Sequence, residues 1–387
     1  MMPRLCAYLL AAAAAAVVPA AAMADVVLSS NDGHTVTDAQ KNLVAASPPG
    51  TDTISVIDVK SYPPRIKATF EAPGSVVGPP GAIWISKDES WGIVTAATKG
   101  DAEAKSAGIS PDNRVAVFDL TSTPPKVVQN LTAGLGATQV RVSPDGTLAL
   151  IANRAEGTVS VFTVKDKRLT EIGKVSTGNE KSLPSSVVFV DDKTALLTRG
   201  GDNMVSVLHI DGTNVTIDPR PITTGVSPYT MDINASHTLA AVSNMGRGDG
   251  DQDSLSLIDL TSKPYRTVAT FGVPSGPEPM KFSPDGRYLA IGAENGSTKP
   301  SSNPFHHDNG LLALYAVEHQ TLHRIAETTV GPWIEAIAFS RDGKTILIQS
   351  MQNRAIEVFR WDGKALIRGK SLSIEGAGPE SFATAWP

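Results

Sequence analysis

This chain predicts an all-β fold: a seven-bladed β-propeller of four-stranded antiparallel blades. Three observations carry that reading. A seven-residue apolar phrase occurs seven times, as TISVIDV (Thr53–Val59), RVAVFDL (Arg114–Leu120), TVSVFTV (Thr158–Val164), MVSVLHI (Met204–Ile210), SLSLIDL (Ser254–Leu260), LLALYAV (Leu311–Val317) and AIEVFRW (Ala355–Trp361). The copies start roughly 44–61 residues apart, the spacing of a repeat architecture. A tight-turn phrase precedes several of them, and no helical period of useful length is present.

Each apolar phrase is rich in β-branched and aromatic residues and reads as a strand. The turn phrase is Ser143-Pro144-Asp145-Gly146 in one repeat and Ser283-Pro284-Asp285-Gly286 in another, with Ser340-Arg341-Asp342-Gly343 and Ser86-Lys87-Asp88-Glu89 as looser copies. Pro fixes φ, Asp bonds its own backbone and Gly accepts positive φ, which suits a hairpin turn. Strands flank that turn, for example Val140–Val142 before it and Leu148–Ala152 after it. A fourth strand follows the apolar phrase, as in Lys126–Leu131 and Arg266–Phe271. Four strands per repeat and seven repeats arranged radially leave few open edges.

An unclosed ring would expose strand edges. The tail Gly378-Pro379-Glu380-Ser381-Phe382 is similar to Gly276-Pro277-Glu278-Pro279-Met280, the start of an inner strand. The tail is therefore expected to supply the inner strand of blade one, with the N-terminus supplying the others. The rival for that place is Val26–His34.

Residues 1–24 read as a secretory signal peptide: Arg4, an apolar run from Leu9 to about Val18, and Ala22-Met23-Ala24 as a small-x-small cleavage site. The run is short of the roughly 20 residues that span a membrane. The remaining domain, 25–387, is expected in the periplasm or outside the cell. Cys6, the single cysteine, would leave with the signal, so the domain relies on packing alone. The net charge is −5 with acids and bases interspersed, which argues against nucleic-acid binding. No second apolar span or basic amphipathic stretch argues for membrane insertion. A monomer is expected.

The SPDG-x-x-L and ISVIDL phrases resemble secreted YVTN-type propeller repeats and, more distantly, lactonase-type seven-bladed propellers. The resemblance covers nearly all of 25–387 and implies the fold. Lactonase-type members carry His and Arg at the starts of inner strands. Here those starts read Gly136-Ala137-Thr138-Gln139, Ser227-Pro228-Tyr229-Thr230 and Gly276-Pro277-Glu278-Pro279. No catalytic residue is carried over.

The turns between strands one and two are short and uniform, so their face looks inert. The loops between strands two and three share the other face and vary: Lys99–Asn113 in blade two, Met245–Asp253 in blade five and Asn295–Asn309 in blade six are long. Long loops on a rigid scaffold are where binding concentrates. Four features on that face are candidate ligand-binding or metal positions. Alignment on Phe282 places Gly81, Thr138, Ser185, Tyr229, Glu278 and Glu335 at one position near the channel mouth, and the tail adds Glu380. Converging carboxylates raise one another's pKa unless a cation or donor lies between them. His306 and His307 lie in the blade six loop, where an imidazole could act as a base or metal ligand. Arg154 and Arg199 follow second strands and could pair with the acids or grip an anion. Asp249, Asp251 and Asp253 alternate in a Gly-containing loop, a pattern compatible with Ca2+. Solvated or purely structural roles compete for each of these residues, and His34 stays ambiguous.

The expected function is an exported binding or scaffold module that takes a small ligand or a protein partner on this face. The alternative is a lactonase-like hydrolase or isomerase using Glu278, Glu335 or Glu380 as general base and His306 or His307 as acid.

Overall fold

The computed structural model describes residues 25–78, 80–104 and 107–386, so the signal-peptide reading lies outside the described residues. Seven four-stranded antiparallel units are present, two of them with a divided outer strand. The inner strands are Gly378–Thr384, Ile83–Ile85, Ala137–Val142, Pro184–Asp191, Pro228–Ile233, Pro277–Phe282 and Ile334–Phe339, for blades one to seven.

Blade one joins both ends of the chain. Gly378–Thr384 pairs with Val26–Asp32, which pairs with Thr53–Asp58 and then Arg65–Glu71. The tail therefore takes the inner place and Val26–Asp32 the second. Seven apolar clusters fill the spaces between neighbouring blades. One holds Val27, Ile57 and Phe382 of blade one against Ala338, Leu347 and Val358 of blade seven, so the closing interface is packed like the others. Outer strands are mostly exposed, as along Arg168–Ser176.

The hairpin turns form as their sequences dictate. Ser143 Oγ donates to Asp145 Oδ1 at 2.6 Å and accepts from the Leu148 amide at 3.0 Å. Gly146 has φ +76°. The same bonds recur at Ser283 and Ser340.

Inner strands of six blades share an irregularity near their starts. The register slips between Ala137 and Gln139, Pro184 and Val187, Pro228 and Met231, Pro277 and Met280, and Ile334 and Ile337. In blade one Asn31 faces Pro379 and Ser30 faces Ser381, so Glu380 is skipped. Each slip is a β-bulge, which re-aims a side chain out of the regular alternation. The residues in the bulges include Thr138, Ser185, Tyr229, Glu278, Glu335 and Glu380.

The loop face carries two small hairpins that lie outside the seven-blade repeat. Thr35–Thr37 pairs with Leu43–Ala45 inside blade one, and Thr98–Gly100 with Ile109–Pro111 inside blade two. The Ala45 amide donates to the Ala107 carbonyl at 2.7 Å, joining the two. Lys41 Nζ reaches Gln352 Oε1 of blade seven at 2.8 Å. The blade one insertion is thus pinned to both neighbours.

Candidate functional site

The bulges bring Glu278, Glu335 and Glu380 to one end of the channel, from three adjacent blades. All are buried, at 8%, 1% and 3% exposure. Glu294, which follows the second strand of blade six, joins them at 6%. It occupies the same repeat position as Arg154 in blade three, eleven residues after the turn serine, Ser283 or Ser143.

Burial dominates the electrostatics. It pushes the Glu278 carboxyl up to about 8, partly countered by a hydrogen bond with Glu294 and by the charge of Arg154. Glu294 is raised well above the carboxylate range by burial and then by the charge of Glu278. Glu335 is raised by burial and by the charges of Glu278, Glu294 and Glu380. Two carboxyls that share a hydrogen bond cannot both ionise cheaply, so the pair retains a proton at neutral pH.

Donors hold the cluster in place. Trp333 Nε1 donates to Glu335 Oε1 at 2.8 Å, and Ser297 Oγ donates to Glu294 Oε2 at 3.1 Å while accepting from the Trp333 amide. The indole is thus a polar tether as well as a packing group. Glu294 Oε1 and Glu335 Oε2 are buried and have no hydrogen-bond partner among the described residues. Ser30 Oγ donates to Glu380 Oε1 at 2.5 Å, and the Ser75 amide donates to the same oxygen at 3.1 Å. Arg154 bonds Ser185 Oγ and lies 5.3 Å from the Tyr229 ring centroid. Tyr229 is held neutral, chiefly by burial and by the charge of Glu278.

Next to Glu380 is a second group: Asp32, His34 and Asp52. His34 Nδ1 lies 2.8 Å from Asp52 Oδ1 and 3.0 Å from Asp32 Oδ1. Their ligand-type atoms all lie within 4.8 Å of one another, a spacing that could hold a metal ion. The oxygens are already committed, however. Asp32 Oδ1 accepts the His34 and Thr35 amides and Oδ2 accepts that of Val76, while Asp52 Oδ1 accepts the Gly33 amide. The arrangement suits a ring N–H donated to two carboxylates better than an ion. Burial lowers the His34 pKa, but the Asp52 hydrogen bond and the two negative charges outweigh it and raise the value. Nε2 is buried without a hydrogen-bond partner among the described residues.

The other sequence candidates are placed elsewhere. His306 Nδ1 is engaged by the Lys299 carbonyl at 2.8 Å and Nε2 by Asp308 at 3.2 Å, both within its own loop, and His307 is exposed. Neither is among the groups acting on the glutamates. The blade six loop satisfies His306 locally. Arg199 is tied to Asp202, Ser206 and Ser182 and supports its own blade. The carboxylates of Asp249, Asp251 and Asp253 do not converge to within 4.8 Å, and Asp253 Oδ2 accepts the Gly276 amide. That loop does not assemble the three-carboxylate Ca2+ site expected of it, because one of its acids is spent on a neighbouring turn.

Sequence reasoning missed Glu294, Asp32 and Asp52. Glu294 was findable, since it shares the register of Arg154. The aspartates lie around an insertion that breaks the repeat.

A family model described as "Lactonase, 7-bladed beta-propeller" matches residues 110–221. A candidate 6-phosphogluconolactonase from Bacteroides uniformis superposes with a TM-score of 0.69 at 13% identity, covering 93% of this chain and 98% of that one. The periplasmic gluconolactonase of Pseudomonas aeruginosa gives a TM-score of 0.66 at 16% identity, covering 92% and 99%. A hypothetical selenium-binding protein from Sulfolobus tokodaii gives 0.67 at 11%, covering 94% of each. No curated protein sequence matches the chain. These likenesses show the propeller and its lactonase-like form, a scaffold that serves more than one chemistry. Among the described residues no helix is long and apolar enough to cross a membrane.

Proposed function

We propose that this propeller is a lactonase-type hydrolase that opens the ring ester of a hydroxylated lactone at the glutamate end of its channel, in the periplasm. The observation that carries the reading is the buried Glu278–Glu294 pair with Glu335 beside it, all three carboxyls pushed up by burial and Glu278 to about 8. The likeness to gluconolactonase propellers supports the same reading.

The pair carries the two functions that hydrolysis needs. Its ionised member takes a proton from water as the water oxygen bonds to the lactone carbonyl carbon. Its protonated member gives a proton to the ring oxygen as the ester C–O bond breaks. Glu278 is the more exposed of the two and is assigned the base role, which it fills in the fraction that ionises as the pH approaches about 8. Arg154, the cation acting on Glu278, is assigned the role of meeting the negative charge that develops on the carbonyl oxygen. A site so rich in carboxyls disfavours a phosphorylated sugar, so the substrate class is an uncharged polyol lactone.

The test is base uptake on adding glucono-δ-lactone to wild type, Glu278→Gln and Glu294→Gln. Catalysis above the spontaneous rate, lost in both variants, supports the proposal; a wild type no faster than buffer ends it. The near-complete burial of the glutamates favours a second reading, a binding module, for which calorimetry would detect the lactone or its acid bound at this end without turnover.

A further inference from the structure

The opposite end of the channel faces the uniform hairpin turns, the face that looks inert in the sequence. Three residues beyond the glutamate ring, six of the seven inner strands carry Trp84, Arg141, Asp232, Lys281, Ala338 and Ala383. At about 3.3 Å per residue this level lies about 10 Å from the carboxyls. These residues line a cavity of about 210 Å3. That is smaller than the roughly 300 Å3 at which drug-sized pockets begin, and it suits a small molecule.

The charges here are unevenly matched. Lys281 Nζ lies 3.1 Å from Asp232 Oδ1, and Asp232 Oδ2 accepts the Phe282 amide at 2.8 Å. Each Asp232 oxygen thus has a partner. Arg141 donates through Nη1 to the Gly81 carbonyl at 3.1 Å and the Val140 carbonyl at 2.7 Å. It forms no ion pair among the described residues, and burial pulls its pKa down to about 10 against the weaker pull of Asp232. Two cations and one acid leave one positive charge on the cavity wall. A half-buried cation without a close counter-ion is costly, and a bound anion offsets the cost. A guanidinium with free N–H groups matches the two oxygens of a carboxylate. Trp84, Met280 and Trp386 offer carbon surface beside it.

We propose that this end of the channel is a binding site for a small organic monocarboxylate, gripped by Arg141 with Lys281 as the second cation. The site uses none of the glutamates and stands independently of the lactonase reading. One net positive charge fits a monoanion better than a phosphate, which carries more negative charge than the wall can neutralise.

The experiment is calorimetric titration of the full chain with gluconate, benzoate and inorganic phosphate, in wild type, Arg141→Gln, Arg141→Lys and Glu278→Gln. One carboxylate site is expected in wild type. Arg141→Gln weakens it at least about tenfold, as loss of a charged hydrogen-bond pair does. Arg141→Lys keeps the charge, loses the planar fork and weakens it by a smaller factor. Glu278→Gln leaves it unchanged, even where turnover is lost, so the two proposals fail separately. The inference is overturned if wild type binds neither carboxylate, if phosphate binds more tightly than both, or if the Arg141 variants bind like wild type. An affinity change in Glu278→Gln would place the anion at the other end and overturn it as well. Should Arg141→Gln fail to fold for want of its carbonyl bonds, Arg141→Lys decides by the same comparison.

Discussion

Blades two to five and blades six, seven and one present the same ring position to the channel and fill it differently. The first group has Gly81, Thr138, Ser185 and Tyr229; the second has Glu278, Glu335 and Glu380. A bulge sets the position in six of the seven blades. On the neutral side the ring holds the scaffold together: Thr138 Oγ1 donates to the Ser185 carbonyl at 3.1 Å, and Thr198 Oγ1 to the Tyr229 carbonyl at 2.9 Å. On the acidic side, equivalent positions bury carboxyls whose pKa values burial raises. The comparison teaches that the repeat supplies geometry alone, and that chemistry enters where side chains depart from it.

The largest expected effect breaks the acidic side. Glu278→Gln keeps the shape of the pair but removes its ionisable base, and kcat for lactone opening should fall by at least about 100-fold. A steady-state assay checks this, with Thr138→Ser on the neutral side expected to stay near wild type.

Next is the pH dependence of stability. In the folded chain Glu278 keeps its proton to about pH 8, against 4.5 for an ordinary glutamate. Across that window the folded state binds more protons than the unfolded state, so stability is highest below the window and falls as pH rises through it. His34, also raised, acts in the same direction over the upper part of the window. Thermal melts should show Tm falling from about pH 5 to about pH 8, with a flatter profile in Glu278→Gln.

Much of the fold was legible before any coordinates. The period-two phrases and the Pro-Asp-Gly turns act locally, and the similarity of the tail to an inner-strand start identified the closing strand. The ring position was legible too, because aligned repeats share a register. What escaped was set by non-repeating contacts. The pair made by Glu294 with Glu278 depends on two strands of one blade meeting at a bulge. The Asp32–His34–Asp52 group depends on an insertion between strands two and three of blade one, whose aspartates are fixed by backbone amides. His306 looked available because its loop is long, yet a carbonyl of that same loop engages it.

A smaller effect tests the tethering of the third glutamate. Ser30→Ala removes one of the two donors to Glu380 Oε1, and denaturant unfolding should show a loss of about 1–3 kcal/mol, the cost of leaving a buried acceptor short of a partner. The smallest effect separates the ring from the loops. His307→Ala, at an exposed position, should leave kcat within about twofold of wild type, a shift within the ±0.5 kcal/mol usual for surface substitutions. A large loss there would return the blade six loop to the site.

The most direct measurement is infrared titration of the protonated carboxyl band in wild type and in the Glu278→Gln and Glu294→Gln variants. The account predicts a band that persists at neutral pH, loses intensity near pH 8 as Glu278 ionises and is diminished in both variants. A chain whose glutamates have all ionised by about pH 5, the ordinary carboxylate range, would contradict it.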